Sequence, residues 1–315
     1  MHQDKIPIII LLGPTAIGKT DIGINIAQDL NTEIISADSM QIYRYLDIGT
    51  AKPTPKQQQL VKHYLIDVIN PDEPYNAAMY SRHAEQVAVD LVQQHKIPLV
   101  VGGSGLYIRA LIDGIFDQPK IDADWRDKFK KDNETRTSPE LYAELQKKDA
   151  VAALKIHQND RRRILRALEV YYFFQVPISQ LQHQQQEQGS RFQPIYFGLK
   201  MEMKELYYRI DRRVDQMLEQ GWIDEVKQLR GKGYSPKVLS MQGLGYRHLN
   251  SFLDNKLSHE QMIHVIKRDT RHYAKRQMTW FRANQRLVWF EVTETNRSEI
   301  ISKILHYLEK NTKKT

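Results

Sequence analysis

Residues 13–20 read GPTAIGKT and follow an uninterrupted apolar run, IPIIILL, at positions 6–12. The octet matches G-x-x-x-x-G-K-[ST], a loop whose backbone N–H groups surround phosphate oxygens while its lysine adds a positive charge. A strand before the loop and a helix after it are the required context, because the helix start directs N–H groups at the anion. The pattern therefore predicts a phosphate site made of Gly13, Pro14, Thr15, Ala16, Ile17, Gly18, Lys19 and Thr20, with the Thr20 hydroxyl as a ligand of Mg²⁺.

Further apolar segments place this loop in an α/β fold. Residues 33–37 (EIISA) and 96–101 (KIPLVV) read as two more buried strands, and a helix is predicted from about Lys19 to Leu30. Helical patterns separate the strands, which favours a parallel sheet. The predicted fold class is therefore α/β, with a P-loop parallel-sheet core.

The middle of the chain has a different composition. Residues 117–194 carry helical patterns, many charges and many glutamines, but no convincing strand. Residues 195–199 (IYFGL) read as a return to the sheet. We expect a core formed by residues 1–116 and 195–315, with C-terminal helices, interrupted by a mainly helical insertion domain at 117–194.

The overall composition limits the classes of function. The chain has 315 residues, a formal net charge of +8 and a sequence pI of about 9.3. A basic balance is consistent with a polyanionic partner or with a solvated surface. The lack of cysteine excludes disulfides, thiolate catalysis and cysteine-ligated zinc, and the histidines are not clustered as metal ligands are. Nothing predicts a secretory signal or a membrane-spanning segment, so we expect a cytoplasmic protein.

The phosphate loop does not by itself identify its ligand. An ATPase or GTPase normally has an acidic residue at the end of a later apolar strand, where it helps to hold Mg²⁺. Here the strand at 96–101 runs into GGSG (102–105), and the carboxylate is Asp38, after the strand at 33–37. This weakens a motor-type interpretation and leaves small-molecule kinases and other phosphate-handling transferases open.

Five segments, in the family's order, resemble the bacterial tRNA dimethylallyltransferases, the tRNA isopentenyl-transferase family. They are GPTAIGKT (13–20), ISADSMQIYRYLDIGTAKP (35–53), GGSGLYIRALIDG (102–114), NDRRRILRALEVY (159–171) and RDTRHYAKRQMTWFR (268–282). They are spread over nearly the whole chain, and together they are far more specific than the phosphate loop alone. The sequence departs from the family pattern at Ile17 and Gln158, neither of which carries a group that the chemistry needs.

The resemblance implies transfer of a dimethylallyl group from dimethylallyl diphosphate to N6 of the adenosine just 3′ of the anticodon of a tRNA. The phosphate loop would then hold a diphosphate leaving group, with Mg²⁺. The implied catalytic residues are Asp38, which assists the adenine amine, and Lys19, Arg213 and Thr15, which stabilise the diphosphate. The position of Asp38 agrees with this role, because strand ends of an open α/β sheet line the ligand crevice. Arg209, one helical turn before Arg213, is a weaker candidate for the same diphosphate contact.

The tRNA-binding residues that the resemblance implies lie in four segments. They are Asp38, Ser39, Met40 and Gln41 after the second strand, Ser104 in the GGSG turn, Arg162, Arg163, Ile164, Leu165 and Arg166 in the insertion, and Arg271 and Lys275 near the C terminus. Around the last two, cations recur at helical steps among aromatic residues, a combination that suits unpaired RNA. The alternatives are surface ion pairs for the arginines and burial in the core for Met40 and the aromatic residues.

Other functions remain open from the sequence. A P-loop kinase acting on a small metabolite, or isopentenyl transfer to free adenine nucleotides, would leave the basic and aromatic C-terminal helix unexplained. An RNA-binding protein that uses a nucleotide as a switch would give Asp38 no role. Whether ATP binds the loop is also open. With a tRNA as partner, the core and the insertion would clamp the anticodon stem-loop between basic faces, and a monomer is the expected state.

Overall fold

The computed structural model describes residues 5–115, 121–187, 190–293 and 295–312. Contacts divide the chain into two compact units, which we call the sheet unit (Met1–Ile112 with Arg191–Thr315) and the helical unit (Asp113–Ser190). The expected domain boundary at 116/117 lies outside the described residues. The one expected at 194/195 falls inside a strand, Phe192–Lys200.

The sheet unit is built on one six-stranded sheet in which every pair of neighbouring strands is parallel. Along the chain the strands are β1 (Ile6–Leu12), β2 (Ile34–Ala37), β3 (His63–Tyr64), β4 (Leu99–Gly102), β5 (Phe192–Lys200) and β6 (Leu287–Glu291). Their order in the sheet is β3-β2-β4-β1-β5-β6. Strands β2 and β4 are buried throughout and β1 over most of its length, which explains their continuous apolar sequences. The predicted α/β class is confirmed.

Helices account for most of the remaining described chain. They are α1 (Lys19–Asp29), α2 (Pro55–Leu60), α3 (Ala77–Gln93), α4 (Gly105–Ile112), α5 (Ala123–Asp132), α6 (Ser138–Lys148), α7 (Ala150–Lys155), α8 (Arg161–Phe174), α9 (Ile178–Glu187), α10 (Met203–Glu219), α11 (Trp222–Gly231), α12 (Tyr246–Leu253), α13 (His259–Arg282) and α14 (Arg297–Thr312). Helices α5 to α9 form the helical unit, and the others belong to the sheet unit. In the parts of the chain that the structure describes, none of these helices combines the length and apolar character needed to cross a bilayer.

Each unit has an apolar core of its own. In the sheet unit the inward side chains of β1 pack with the buried faces of α1 and α14, including Ile9, Leu11, Ile22, Ile26 and Ile304. In the helical unit α6 and α8 supply the core, including Leu141, Leu145, Ile164 and Leu168. The α8 residues in this core, Ile164, Ala167 and Leu168, lie three and four positions apart, the spacing of one helix face.

The C-terminal strand β6 was not predicted. We expected the chain beyond residue 199 to be mostly helical, but β6 pairs with β5 at the edge of the sheet. Four of its five residues are half-buried and the fifth is exposed, and its apolar run of four residues, LVWF, is too short to distinguish a strand from a helical segment. The strand expected at 96–101 begins at Leu99, because Pro98 cannot donate a ladder hydrogen bond.

Three strands end level at the carboxyl edge of the sheet. Ala37, Gly102 and Leu12 are the last residues of β2, β4 and β1 and are partners in one row, which continues to Gly198 inside β5. The loops after β2, β4 and β1 therefore leave the same edge side by side. Gly102 allows the closest approach in the row, since a Cβ there would lie 2.2 Å from the carbonyl oxygen of Ala37.

Gly102→Ala should destabilise the sheet unit, because the added methyl meets backbone that cannot move without breaking the row. We expect a loss of about 1–3 kcal/mol or more, measured as a lower midpoint of urea unfolding. Gly231→Ala is the matched control, since Gly231 ends α11 with open space around it and should tolerate alanine or gain up to about 1 kcal/mol. Equal midpoints for the two variants would contradict the close contact of β2 with β4.

Candidate active site

The phosphate loop joins β1 to α1 and encloses one lysine. Gly18 precedes α1 with a left-handed φ of 96°, a conformation that glycine adopts without strain. The Nζ of Lys19 donates a hydrogen bond across the loop to the carbonyl oxygen of Pro14 at 2.8 Å. The side chain of Ile17 is fully buried in the core of the sheet unit, so this residue can offer a phosphate only its backbone N–H.

The loops after β2 and β4 lie side by side and hold the candidate carboxylate. Asp38 follows β2, and its Oδ1 accepts hydrogen bonds from the backbone N–H groups of Met40 at 2.8 Å and Gln41 at 3.4 Å. In the loop after β4, the hydroxyl of Ser104 accepts a hydrogen bond from the N–H of Ser39 at 3.0 Å. Ser104 therefore fixes the backbone next to Asp38.

A glutamine on α13 joins the phosphate loop to the loop after β4. The Oε1 of Gln277 accepts a hydrogen bond from the N–H of Thr15 at 3.0 Å, and its Nε2 donates one to the carbonyl oxygen of Gly103 at 2.9 Å. Gln277 is only 8% exposed, so both bonds are sheltered from water. A Cβ at Gly103 would lie 2.4 Å from Nε2, and the glycine therefore leaves room for this bridge.

Two cations and one carboxylate meet at this edge of the sheet. Burial and the nearby charge of Arg213, from α10, lower the pKa of Lys19 to about 7, while the carboxylate of Asp38 acts in the opposite direction. Burial also lowers the pKa of Arg213, against the charges of Asp38 and Asp21. Two desolvated cations close together are poorly stabilised without an anion, so the site favours a ligand with several negative charges.

The two candidate arginines of α10 have different surroundings. Arg213 lines the pocket formed by the phosphate loop and Asp38. The Nε of Arg209 donates to Oε1 of Glu205 at 2.9 Å, an ion pair within the same helix. Arg213 is therefore the arginine in position to contact a bound diphosphate.

Sequence analysis missed several neighbours of the pocket. Tyr273 and Gln277 of α13 line it, and burial with the charge of Asp38 raises the pKa of the Tyr273 phenol, which stays protonated. Arg297 of α14 lies beside Gly18 and pairs with Asp21 at 3.1 Å. The only sequence signal for Gln277 is a polar residue on the apolar face of α13, a position that usually requires a buried hydrogen-bond partner.

Gln41 is engaged within its own loop. Its Oε1 accepts a hydrogen bond from the hydroxyl of Ser36 at 3.2 Å, and its Nε2 donates to the carbonyl oxygens of Thr50 at 3.2 Å and Ala51 at 3.3 Å. Reading a base edge with this side chain would require these bonds to break. Met40 is half-buried, between the exposed and core positions that the sequence allowed.

The basic residues of α13 differ in their surroundings. Nη1 of Arg271 donates to both carboxylate oxygens of Asp211, at 2.8 and 2.7 Å, and its charge is therefore already balanced. Lys275 is exposed. Phe281 is fully buried, which agrees with the alternative that the aromatic residues of this helix pack in the core.

In the helical unit, the predicted RNA contacts fall on the first two turns of α8. Arg162 and Arg163 are exposed, and Nε of Arg163 pairs with Asp160 at 3.2 Å. Arg166 pairs with Glu169. Ile164 is fully buried and packs in the core of the helical unit, so its side chain offers no surface to RNA, contrary to its inclusion among the contacts. Leu165 is partly buried against the same core.

This chain is similar in both sequence and structure to known IPP and dimethylallyl transferases. The IPP transferase family model matches residues 41–284. A tRNA dimethylallyltransferase of Natranaerobius thermophilus is 43% identical over 307 residues, which cover 96% of this chain and 92% of the relative. One from Thermotoga maritima is 44% identical over 304 residues, covering 96% and 98%.

Two solved structures are similar over nearly the whole chain. The full-length tRNA isopentenylpyrophosphate transferase of Bacillus halodurans superposes with a TM-score of 0.72 at 37% identity, covering 98% of this chain and 99% of the other. A eukaryotic dimethylallyltransferase captured acting on tRNA superposes with a TM-score of 0.82 at 28% identity, covering 97% of this chain and 80% of the other.

The pKa of Lys19 predicts a pH-dependent affinity for diphosphate. A bound anion raises this pKa above about 7, so binding takes up a proton only when the pH exceeds 7. The contribution of Lys19 to the affinity for inorganic diphosphate should therefore be constant below pH 7 and fall by up to about tenfold per pH unit above it. Isothermal titration calorimetry between pH 6 and 9 measures this.

Lys19→Arg is the control, because arginine stays charged throughout this range and reports only the titration of the ligand. The ratio of the wild-type to the variant dissociation constant should rise above pH 7. A ratio that does not change with pH would contradict the titration of Lys19.

Loss of the Gln277 bridge should weaken both the fold and the binding of diphosphate. Gln277→Ala leaves the Thr15 N–H and the Gly103 carbonyl without buried partners, at about 1–3 kcal/mol each. Gln277→Glu should resemble the wild type at low pH, where a protonated carboxyl can still donate to Gly103, and lose stability as the pH rises and the carboxyl ionises. Urea unfolding as a function of pH tests this, and wild-type behaviour of both variants at pH 8 would refute the bridging role.

Proposed function

The chain belongs to the IPP transferase family, and we propose that it transfers the dimethylallyl group of dimethylallyl diphosphate to N6 of the adenosine 3′ of the anticodon in tRNA, releasing diphosphate. The observation that carries this proposal is the joining of the phosphate loop, Lys19 and Arg213 to Asp38 in one pocket. Asp38 is the one carboxylate among the described residues that line it. The cations suit a diphosphate, and the carboxylate suits an acceptor amine.

The reaction makes one bond and breaks one. The N6 lone pair of adenine attacks C1 of the dimethylallyl group, and the bond between C1 and the bridging oxygen breaks, with its electron pair leaving on the diphosphate. The proton lost from N6 passes to the carboxylate of Asp38. Lys19 and Arg213 stabilise the charge that grows on the leaving diphosphate, while Thr15 adds a hydroxyl at the loop.

Mg²⁺ fits this pocket as a partner of the substrate. Among the described residues, no group of three or more histidine or acidic side chains could hold a metal ion. Thr20 lines the pocket at the start of α1, so its hydroxyl would bind the ion together with phosphate oxygens and water, the ligands that Mg²⁺ usually keeps. The ion would supply additional positive charge to the leaving group.

The target adenine of the tRNA must be unpaired and must leave its base stack before it can react. An adenine in a loop leaves its stack at a cost of a few kcal/mol, less than in a duplex, and can then enter a pocket beside Asp38. The exposed cations Arg162, Arg163 and Lys275 are the candidates for phosphate contacts. We further propose that the enzyme acts as a monomer, and that it works in the cytoplasm, where its proposed tRNA substrate is found.

Transfer of radiolabelled dimethylallyl diphosphate to an unmodified tRNA with adenosine after the anticodon tests the proposal. The wild type should label the tRNA, and Asp38→Asn should lower kcat by about 10²- to 10⁴-fold, because the amide cannot take the proton. Asp29→Asn is the matched control, since this exposed carboxylate ends α1 at the opposite end from the phosphate loop.

Parallel reactions separate the alternatives. If the label enters free AMP but not tRNA, the acceptor is a free adenine nucleotide. If ATP is consumed with one of a panel of small metabolites and no tRNA is labelled, the protein is a kinase. Equal activity of Asp38→Asn and the wild type would refute the assigned role of the carboxylate.

A further inference from the structure

The segment that follows Asp38 is anchored by a carboxylate from a distant helix. Oε2 of Glu225, on α11, accepts hydrogen bonds from the backbone N–H groups of Asp47 at 2.9 Å and Ile48 at 2.7 Å. Its Oε1 accepts a longer one from Gly49 at 3.4 Å. Three successive N–H groups that converge on one carboxylate form an anion-binding nest, which here is filled by the protein itself.

The Glu225 carboxylate is itself held firmly. The hydroxyl of Tyr246 donates to its Oε1 at 2.7 Å, and Tyr246 is 1% exposed. Trp222 packs edge-on against Tyr246 and is also buried. A Cβ at Gly49 or Gly245 would lie within about 2 Å of the Trp222 ring, so these glycines allow the close contact of loop, indole and helix.

A continuous series of bonds leads from this anchor to the candidate catalytic carboxylate. The hydroxyl of Thr50 donates to the carbonyl oxygen of Leu46 at 2.6 Å and closes the turn that contains the nest. The carbonyl oxygens of Thr50 and Ala51 accept the two hydrogen bonds of the Gln41 amide. The N–H of Gln41 in turn donates to Oδ1 of Asp38.

We propose that Glu225 is a positioning residue for Asp38, which acts through the 47–51 turn and Gln41. Glu225 is not among the residues that line the pocket, so its influence on the reaction has to pass through this turn. The inference rests on the proposed function, because it assigns Glu225 to the orientation of the proton-accepting group. Displacement of a catalytic group by about 1 Å costs on the order of 10²-fold in rate, which makes the effect measurable.

A double-mutant cycle on kcat tests the pathway. Glu225→Ala should lower kcat for transfer to tRNA by about 10- to 100-fold. Gln41→Ala removes the side-chain bonds that join the 47–51 turn to the residues beside Asp38. In that background, Glu225→Ala should lower kcat by less than about threefold. Equal fold-losses in the two backgrounds would overturn the proposal, because a residue that only supports the fold acts independently of Gln41.

Two further variants keep the test decisive. Glu225→Gln retains the size and one acceptor oxygen, and it replaces Glu225→Ala throughout the cycle if the alanine variant does not fold. Asp224→Asn is the matched control, since this neighbouring carboxylate pairs with Lys227 on the surface and should leave kcat unchanged. A Glu225→Gln enzyme that melts earlier but keeps the wild-type kcat also overturns the proposal.

The two levels of inference fail in different ways. If the wild type transfers no label to tRNA, the proposed function itself is wrong. If the wild type is active and the losses from Glu225 and Gln41 multiply independently, the function stands and only the positioning role is lost.

Discussion

The site depends on one row of residues across the sheet. Ala37, Gly102 and Leu12 are aligned at the ends of β2, β4 and β1, so the loops after these three strands start at the same level. At Gly102 the backbones of β4 and β2 lie so close together that no side chain would fit between them. Because the register of parallel strands sets where each loop begins, the distance between the phosphate loop and Asp38 is decided in the core and not in the loops.

The site concentrates positive charge. Lys19 and Arg213 are both desolvated, and the charge of Arg213 adds to burial in lowering the pKa of Lys19. Asp38 compensates only in part, and its Oδ1 is already bound by backbone N–H groups. An incoming diphosphate would therefore recover the cost of burying two cations, and the same cations would stabilise the leaving group once the C–O bond breaks. In the proposed reaction, the same two positive charges serve both the binding of the substrate and the departure of the diphosphate.

The sequence predicted what is local and missed what is long-range. Strand β1, helix α1 and the phosphate loop were predicted because apolar runs and loop glycines are adjacent in the chain. Gln277 could not be found in this way, because its bond to Thr15 spans 262 residues. Arg271 looked like an RNA contact, and only the fold brings Asp211 to it. Strand β6 was missed because its run of four apolar residues is too short to indicate a strand without knowledge of its pairing with β5.

The C-terminal half of the chain turns a general phosphate loop into a specific site. Most groups assigned to the chemistry lie in the first third of the sequence, but Arg213 comes from α10, and the residues that hold the loops come from α11 and α13. Gln277 fixes the phosphate loop against the loop after β4, and Glu225 fixes the turn next to Gln41. Each makes at least two hydrogen bonds to backbone groups, which set position without adding a reactive group. A phosphate loop of the same sequence on another scaffold would keep its affinity for phosphate and lose the carboxylate placed beside it, since that placement depends on the register of the sheet and on the helices that hold the loops.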